Sequence, residues 1–310
     1  MADSPFRAPD VLVLGGGGVL GEAWMNAVLA GIEDASGFDA RRCDGYVGTS
    51  AGSIVAGALA GGMRPSARLG DLPEQPSEDD AGNGRRPGLT ERAVRAGLAV
   101  GGAAIAPVAG LALTSITPGG ALARRVTLGR MAPGRRSLGG LGDNFDRRGA
   151  RFDGRLAVAA VELETGRRVM FGQPGAPEAT VGQAVEASCA IPGFFRPIPI
   201  AGRTYVDGGA WSPTNMDQAP HVRRGSKVLC LNPTGSLSGS LASPMGALAL
   251  ASRSIAGVEA LALGRRGAEV RTIAPDAGAL RAIGPNLMDS RPRGRVIEAG
   301  FAQGRRIGGR

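Results

Sequence analysis

The sequence predicts an α/β protein: a three-layer α/β/α sandwich around a mainly parallel sheet. Three observations predict it. Val11-Leu12-Val13-Leu14 is a short unbroken apolar run, as expected of a strand covered on both faces. A glycine run, Gly15 to Gly18, joins it to a helical stripe of Leu20, Trp24, Ala27, Val28 and Ile32, and Tyr46-Val47 then opens a second strand. Strand, loop, helix and strand make a βαβ unit, which requires parallel neighbours. Downstream, Lys227 to Leu231 and Val270 to Ile273 repeat the apolar strand pattern.

Composition sets the outer limits. With 310 residues and 43% hydrophobic side chains, the chain can bury a sizeable core, but only 4% are aromatic, so Ala, Val, Leu and Ile must build it. Lys227 is the lone lysine among 36 basic residues, a bias that fits a GC-rich bacterial genome. The net charge of +9 favours anionic partners. No basic stripe carries interleaved aromatics, which points away from nucleic acid and towards an acidic membrane surface. Cys43, Cys189 and Cys230 are isolated, with no C-x-x-C pair, and read as reduced thiols of a cytoplasmic protein rather than as zinc ligands. Met1 to Asp10 is polar and holds two prolines, without the apolar core of a signal peptide.

Beyond the first βαβ unit, Ile54 to Ala60 is a helix-compatible run of small residues able to pack close to a sheet. Residues 63–150 differ in character and are expected to be an inserted, variable lid. Within them 71–88 is rich in Pro, Gly and acids, and 96–117 carries no charge over the length of a membrane span. That stretch is dominated by Ala and Gly and broken by Pro107, which reads as packed helices or a membrane-contacting flap. From 121 to 151 there are eight arginines (124, 125, 130, 135, 136, 147, 148 and 151) against Asp143 and Asp146. Such a run is solvated, or lies on acidic headgroups. Leu156 to Leu163 and Val169 to Phe171 then form a hairpin, Val181 to Cys189 a helix ending before Pro192, and Ile198–Ile200 with Thr204–Val206 a second hairpin that delivers Asp207-Gly208-Gly209.

Three places carry chemistry. Gly48-Thr49-Ser50-Ala51-Gly52 is the G-x-S-x-G pattern of a nucleophile elbow, where a strained turn between strand and helix exposes the serine hydroxyl. Read blandly, it is a glycine-rich turn capped by a serine. Gly16-Gly17-Gly18-Val19-Leu20-Gly21 can point consecutive backbone N–H groups into one pocket as an oxyanion hole. It is also a G-x-G-x-x-G dinucleotide fingerprint, but Asp39, at the distance a ribose-binding acid would need, does not end a strand-like run. Asp207 can polarise Ser50 directly, or relay through His221, the chain's single histidine. Without a neighbour Asp207-Gly208 would be an ordinary turn.

In their order these motifs resemble the patatin-like phospholipase family. The resemblance extends to Ala187-Ser188-Cys189-Ala190-Ile191-Pro192 and to Trp211-Ser212-Pro213-Thr214-Asn215. It covers about 11–62 and 155–231 well, and 63–150 poorly, within one domain spanning 1–310. It implies a lipid acyl hydrolase with a Ser50–Asp207 dyad and no catalytic histidine. Gly17 and Gly18 would donate the oxyanion hole, with Gly16 and Gly21 shaping the loop and Gly48, Gly52, Gly208 and Gly209 supporting the motifs. No metal or organic cofactor is required. Many relatives carry Arg or Lys where this chain has Leu20, a departure for which Arg196 or another arginine is a candidate substitute. The rival expectations are a Ser-Asp-His esterase using His221 and a non-catalytic lipid-binding protein on the same fold. Peripheral contact with an anionic membrane at its cytoplasmic face completes the expectation.

Overall fold

The computed structural model describes residues 6–70, 120–138, 140–237 and 244–309. Most of the 63–150 insertion, including the uncharged 96–117 stretch, therefore lies outside the described residues. Among those described, no helix is long and apolar enough to cross a membrane.

Eight strands form one sheet in the order β5-β6-β3-β2-β1-β7-β8, with β4 attached to β3. They are β1 (Val11–Leu14), β2 (Gly45–Thr49), β3 (Leu156–Glu162), β4 (Arg168–Phe171), β5 (Ile198–Ile200), β6 (Arg203–Asp207), β7 (Lys227–Leu231) and β8 (Glu269–Ile273). Strands β3, β2, β1, β7 and β8 are mutually parallel, whereas β4 and β6 run antiparallel to β3. The expected mixed α/β fold with a mainly parallel central sheet is what the structure has.

Alternation along the strands sorts the core into two faces. Leu12, Leu14, Tyr46, Val158 and Ala160 face one way, into the larger apolar cluster. There they meet α1 (Gly18–Ser36), α2 (Ala51–Ala60), α4 (Leu141–Arg147), α5 (Val181–Cys189), α7 (Ala277–Ile283) and α8 (Arg293–Gly308). Val11, Val13, Val47, Ala157 and Ala159 face the other way. That side is covered by α3 (Gly120–Arg130), through Leu128 on Val161 and Val206, and by α6 (Pro244–Arg265), through Ala256 and Leu263.

The insertion's arginine run is not uniformly solvated. Arg124 is fully buried, with Nε donating to the Ala210 carbonyl (3.0 Å) and Nη1 to the Gly166 carbonyl (2.8 Å), and its guanidinium lies 4.2 Å from the centre of the Trp211 ring. Nη2 has no partner among the described residues, and burial lowers the guanidinium pKa to about 10. The run looks solvated in sequence because a backbone-carbonyl cradle and an aromatic face, both distant in the chain, are what receive this one side chain.

Small residues set how closely the outer helices approach. A Cβ on Gly304 of α8 would overlap the Val28 carbonyl of α1. Gly257 of α6 is exposed, with nothing within 4 Å of such an atom. Gly304→Val should destabilise the protein by about 3 kcal/mol through forced separation of α1 and α8. Gly257→Ala should stabilise it by about 0.5–1 kcal/mol through helix propensity. Urea unfolding of the two variants checks the opposite signs.

Candidate active site

Register along β3 brings the two candidate residues together. Thr49, the last residue of parallel β2, pairs with Ala159, and Asp207, the last residue of antiparallel β6, pairs with Ala160. Strand β4 spans Val158 to Val161 and so occupies the opposite edge of β3. β2 and β6 therefore share one edge and meet with their carboxyl ends facing. Ser50 follows Thr49, so the serine and the carboxyl arrive at one point from opposite directions.

Ser50 itself sits in the turn between β2 and α2 at φ 51° and ψ −124°, one of four non-glycine residues with positive φ among those described. Such a conformation costs about 1–3 kcal/mol and needs surroundings that enforce it. Ser188 Oγ, fully buried, accepts the Ser50 N–H at 2.9 Å, and Ser53 Oγ donates to the Ser50 carbonyl at 2.7 Å. Gly52 packs on β1 so closely that a Cβ would overlap the Leu14 carbonyl. This contact explains the second glycine of the motif and draws the loop after β1 towards the elbow.

That loop reaches the serine: a Cβ built on Gly16 would lie 3.5 Å from Cβ of Ser50. The Gly16 N–H is taken by the Pro213 carbonyl at 2.9 Å and the Gly21 N–H by the Gly17 carbonyl at 2.9 Å. Among the described residues the N–H groups of Gly17 and Gly18 have no acceptor, at the start of α1 where the helix dipole is positive. Gly18 has φ 60°, and a Cβ there would sit 2.9 Å from the Leu287 carbonyl, so a side chain is excluded twice over.

Asp207 is 2% exposed. Its Oδ1 accepts the Gly209 N–H at 2.7 Å, and its own N–H donates to the Ala190 carbonyl at 2.9 Å. Burial raises the carboxyl pKa from 3.8 to about 7, against the Gly209 hydrogen bond and the nearby Ser50 hydroxyl, both of which favour the ionised form. Gly208 rests against the Ala159 carbonyl, with no room for a Cβ.

Three residues without an assigned role in the sequence brace this pair. Asn215, fully buried at φ 50°, donates through Nδ2 to Thr49 Oγ1 (3.0 Å), to the Ser212 carbonyl (2.7 Å) and to the Gly208 carbonyl (3.4 Å). It thereby ties the residue before Ser50 to the residue after Asp207. On the other side, Ser188 and Ala190 hold the backbone N–H groups of Ser50 and Asp207 themselves. Behind Asn215, Arg168 donates to its Oδ1 (3.2 Å) and pairs with both oxygens of Asp217 at 2.7 Å. Glu259, 6% exposed, accepts from the Thr214 hydroxyl and the Met216 N–H. Its pKa is raised to about 7 by burial and by Asp217.

Gly16, Gly17, Gly18, Ser50, Asp207 and Gly209 line one cavity of about 50 Å³ with Ile191, Pro213, Thr234 and Leu287. No cation lines it. Leu20 is fully buried in the core, and exposed Arg196 donates instead to the Arg135 carbonyl at 3.2 Å, so the expected substitute for a basic residue is not provided by that side chain. Thr234 and Leu287 lie in segments that no motif marked.

The other sequence candidates lie elsewhere. His221 is exposed, with Nε2 3.0 Å from the Gly154 carbonyl just before β3, at the amino end of the strand whose far half bears the site. The relay through His221 is therefore ruled out by position. Asp39 caps the short helical turn Ala40–Arg42 and pairs with Arg41 at 2.7 Å, so it ends no strand and offers no ribose site. The three thiols are free and buried, and burial raises the pKa of each.

An α/β sheet with a serine elbow, a buried carboxyl at its hydroxyl and a glycine loop bearing unpaired N–H groups defines the class of serine acyl hydrolase folds. The model of the patatin-like phospholipase family matches residues 12–220, more than half of the chain, and the chain belongs to that family. Membership implies lipid acyl hydrolase activity on acyl-ester substrates. Among solved structures, the chain is similar to VipD from Legionella pneumophila, at 15% identity and a TM-score of 0.43 over 98% of this chain and 67% of that one. Curated protein sequences contain no match.

The raised pKa of Asp207 links the site to stability. Below pH 3.8 the carboxyl is protonated both folded and unfolded, and wild type loses nothing. As pH rises towards 7 the unfolded chain releases a proton that the folded state retains, so stability falls across that window. Asp207→Asn removes this loss. Its Tm should match wild type near pH 4 and exceed it increasingly up to pH 8, as read by thermal unfolding across pH.

Proposed function

We propose that the protein hydrolyses carboxylic esters of lipids through an acyl-Ser50 intermediate, with Asp207 as the base and the N–H groups of Gly17 and Gly18 as the oxyanion donors. The observation that carries this reading is that Ser50 and the buried carboxyl of Asp207 line one cavity, together with two N–H groups that are unpaired among the described residues. An ordinary aspartate is too weak a base for a serine hydroxyl. One raised to about 7 by burial is matched to neutral pH.

Ionised Asp207 takes the proton as Ser50 Oγ attacks the ester carbonyl carbon. The resulting oxyanion accepts hydrogen bonds from Gly17 and Gly18, supported by the positive ends of α1 and α2. Collapse breaks the bond to the alcohol oxygen, which leaves with the proton from Asp207. Water then repeats the sequence on the acyl-enzyme: its proton goes to Asp207, its oxygen bonds the carbonyl carbon, and Asp207 passes that proton to Ser50 Oγ as the bond to the serine breaks and the fatty acid is released. Each step uses only groups of this chain.

The apolar Leu20 and the absence of a cation from the cavity lining favour a second reading, a lipid-binding protein that no longer turns over. Hydrolysis of a short-chain soluble ester separates the two. Ser50→Ala and Asp207→Ala should each lower kcat by roughly 10³-fold or more, while His221→Ala retains nearly full activity. Wild-type kcat/KM should rise with pH through about 7, because only the ionised carboxyl accepts the proton. A fluorophosphonate should label wild type and not Ser50→Ala. No label and no turnover would establish the binding-protein reading.

A further inference from the structure

Large apolar side chains are exposed at five places among the described residues, and all five lie on two helices. Leu122 (62% exposed) and Val126 are one turn apart on α3, and Leu250, Val258 (54%) and Leu261 (58%) follow helical spacing on α6. Both helices belong to the same outer layer, since Leu128 of α3 and Ala256 and Leu263 of α6 pack on the same face of the sheet. The Trp211–Asp217 segment joins them, with Trp211 under Arg124 of α3, and Thr214 and Met216 bonded to Glu259 of α6.

The charge on these outward faces has one sign. Arg125 and Arg130 are exposed on α3, Arg253 and Arg265 on α6, and none is ion-paired among the described residues. α3 contains no carboxylate, and the one in α6, Glu259, points inward and is buried. Elsewhere the protein does pair its arginines, as in Arg68–Glu22, Arg155–Asp153 and Arg306–Asp276.

We propose that the outward faces of α3 and α6 form a docking surface for an anionic lipid bilayer. Apolar side chains at helical spacing, rimmed by arginines that extend their stems along the surface and keep their charge at headgroup level, suit an interfacial helix lying in the membrane plane. A second copy of the chain is a poor occupant, because a two-fold contact would set the same unpaired arginines against each other. The surface also adjoins the candidate site. Arg124 of α3 binds the carbonyl of Ala210, next to cavity-lining Gly209, and Ser252 of α6 lies 2.8 Å from the hydroxyl of cavity-lining Thr234. The proposal rests on the acyl-hydrolase reading for its purpose, presenting the cavity to lipid, but stands on different residues.

Flotation with vesicles tests it. Wild type should float with an equimolar mixture of phosphatidylcholine and phosphatidylglycerol, and not with phosphatidylcholine alone. An arginine at an anionic surface is worth about fivefold in partitioning, so Arg125→Glu with Arg130→Glu should reduce binding by about 25-fold or more. Leu122→Ser with Val258→Ser, which leaves the charge unchanged, should reduce it about tenfold. Arg281→Glu with Arg295→Glu makes the same charge change on exposed residues of the opposite layer and should leave flotation close to wild type. Three results would overturn the proposal: no flotation of wild type with anionic vesicles, an equal loss in the opposite-layer variant, or a wild-type dimer that the Leu122/Val258 variant turns into a monomer. Flotation reads no turnover. Protein that floats but hydrolyses no ester would keep the surface and sink the hydrolase reading, and the converse result would do the reverse.

Discussion

Two strands sharing one edge of β3, carboxyl ends facing, is the constraint on which the site depends. Thr49 against Ala159 and Asp207 against Ala160 fix where a serine and a carboxyl can meet, and a slip of one residue in either pairing would turn one of them to the wrong face. Register alone positions backbone, so side-chain geometry needs a brace. Asn215 supplies it on one side and the Ser188–Ala190 segment on the other, each touching the chain at or next to both members of the pair. The Ala-Ser-x-Ala-x-Pro segment thus has a physical reason: its serine hydroxyl holds the elbow and its second alanine carbonyl holds the acid.

Burial of Asp207 has opposite consequences for stability and chemistry. Burial lifts the carboxyl from 3.8 to about 7 even against the Gly209 hydrogen bond and the nearby Ser50 hydroxyl, a net cost to the ionised form of roughly 4 kcal/mol. The same shift makes the carboxyl a base suited to neutral pH, which is what a serine dyad without histidine requires. Glu259 repeats the pattern a layer further out. It is buried and raised to about 7 beside Asp217, whose own carboxyl burial would raise but whose pair with Arg168 holds below the usual range. Glu259 is thus held by hydrogen bonds from Thr214 and Met216, while Asp217 is held by its ion pair with Arg168.

The strands, the βαβ start, both hairpins and the helix at Val181–Cys189 were legible because each is a local pattern: an apolar run, a turn or a cap. Ser50, Asp207 and the glycine loop were legible because sharp turns and close approach restrict residue choice. Asn215, Thr234, Leu287 and Arg124 were not. Their roles arise from contacts with segments tens to hundreds of residues away, and an asparagine, threonine or leucine in a loop carries no local sign of them. His221 misled for the converse reason: a residue type suited to catalysis drew attention, although its place at the amino end of β3 gives it nothing to act on.

The cavity's lack of a cation has a further physical meaning. Where a guanidinium near an oxyanion would supply charge, this chain has Leu20 in the core, so the proposed chemistry rests on backbone dipoles. The Gly17 and Gly18 N–H groups at the start of α1, and the start of α2, place partial positive charge beside the cavity of about 50 Å³. Such donors act without moving, provided that the loop stays rigid. Pro233 against Gly17, the Leu287 carbonyl against Gly18, and the Leu20 N–H bonded to that carbonyl at 3.0 Å hold it from the C-terminal side. The chain from Pro233 onwards, which bears none of the recognised motifs, therefore holds the glycine loop in the shape that the proposed charge stabilisation by backbone demands.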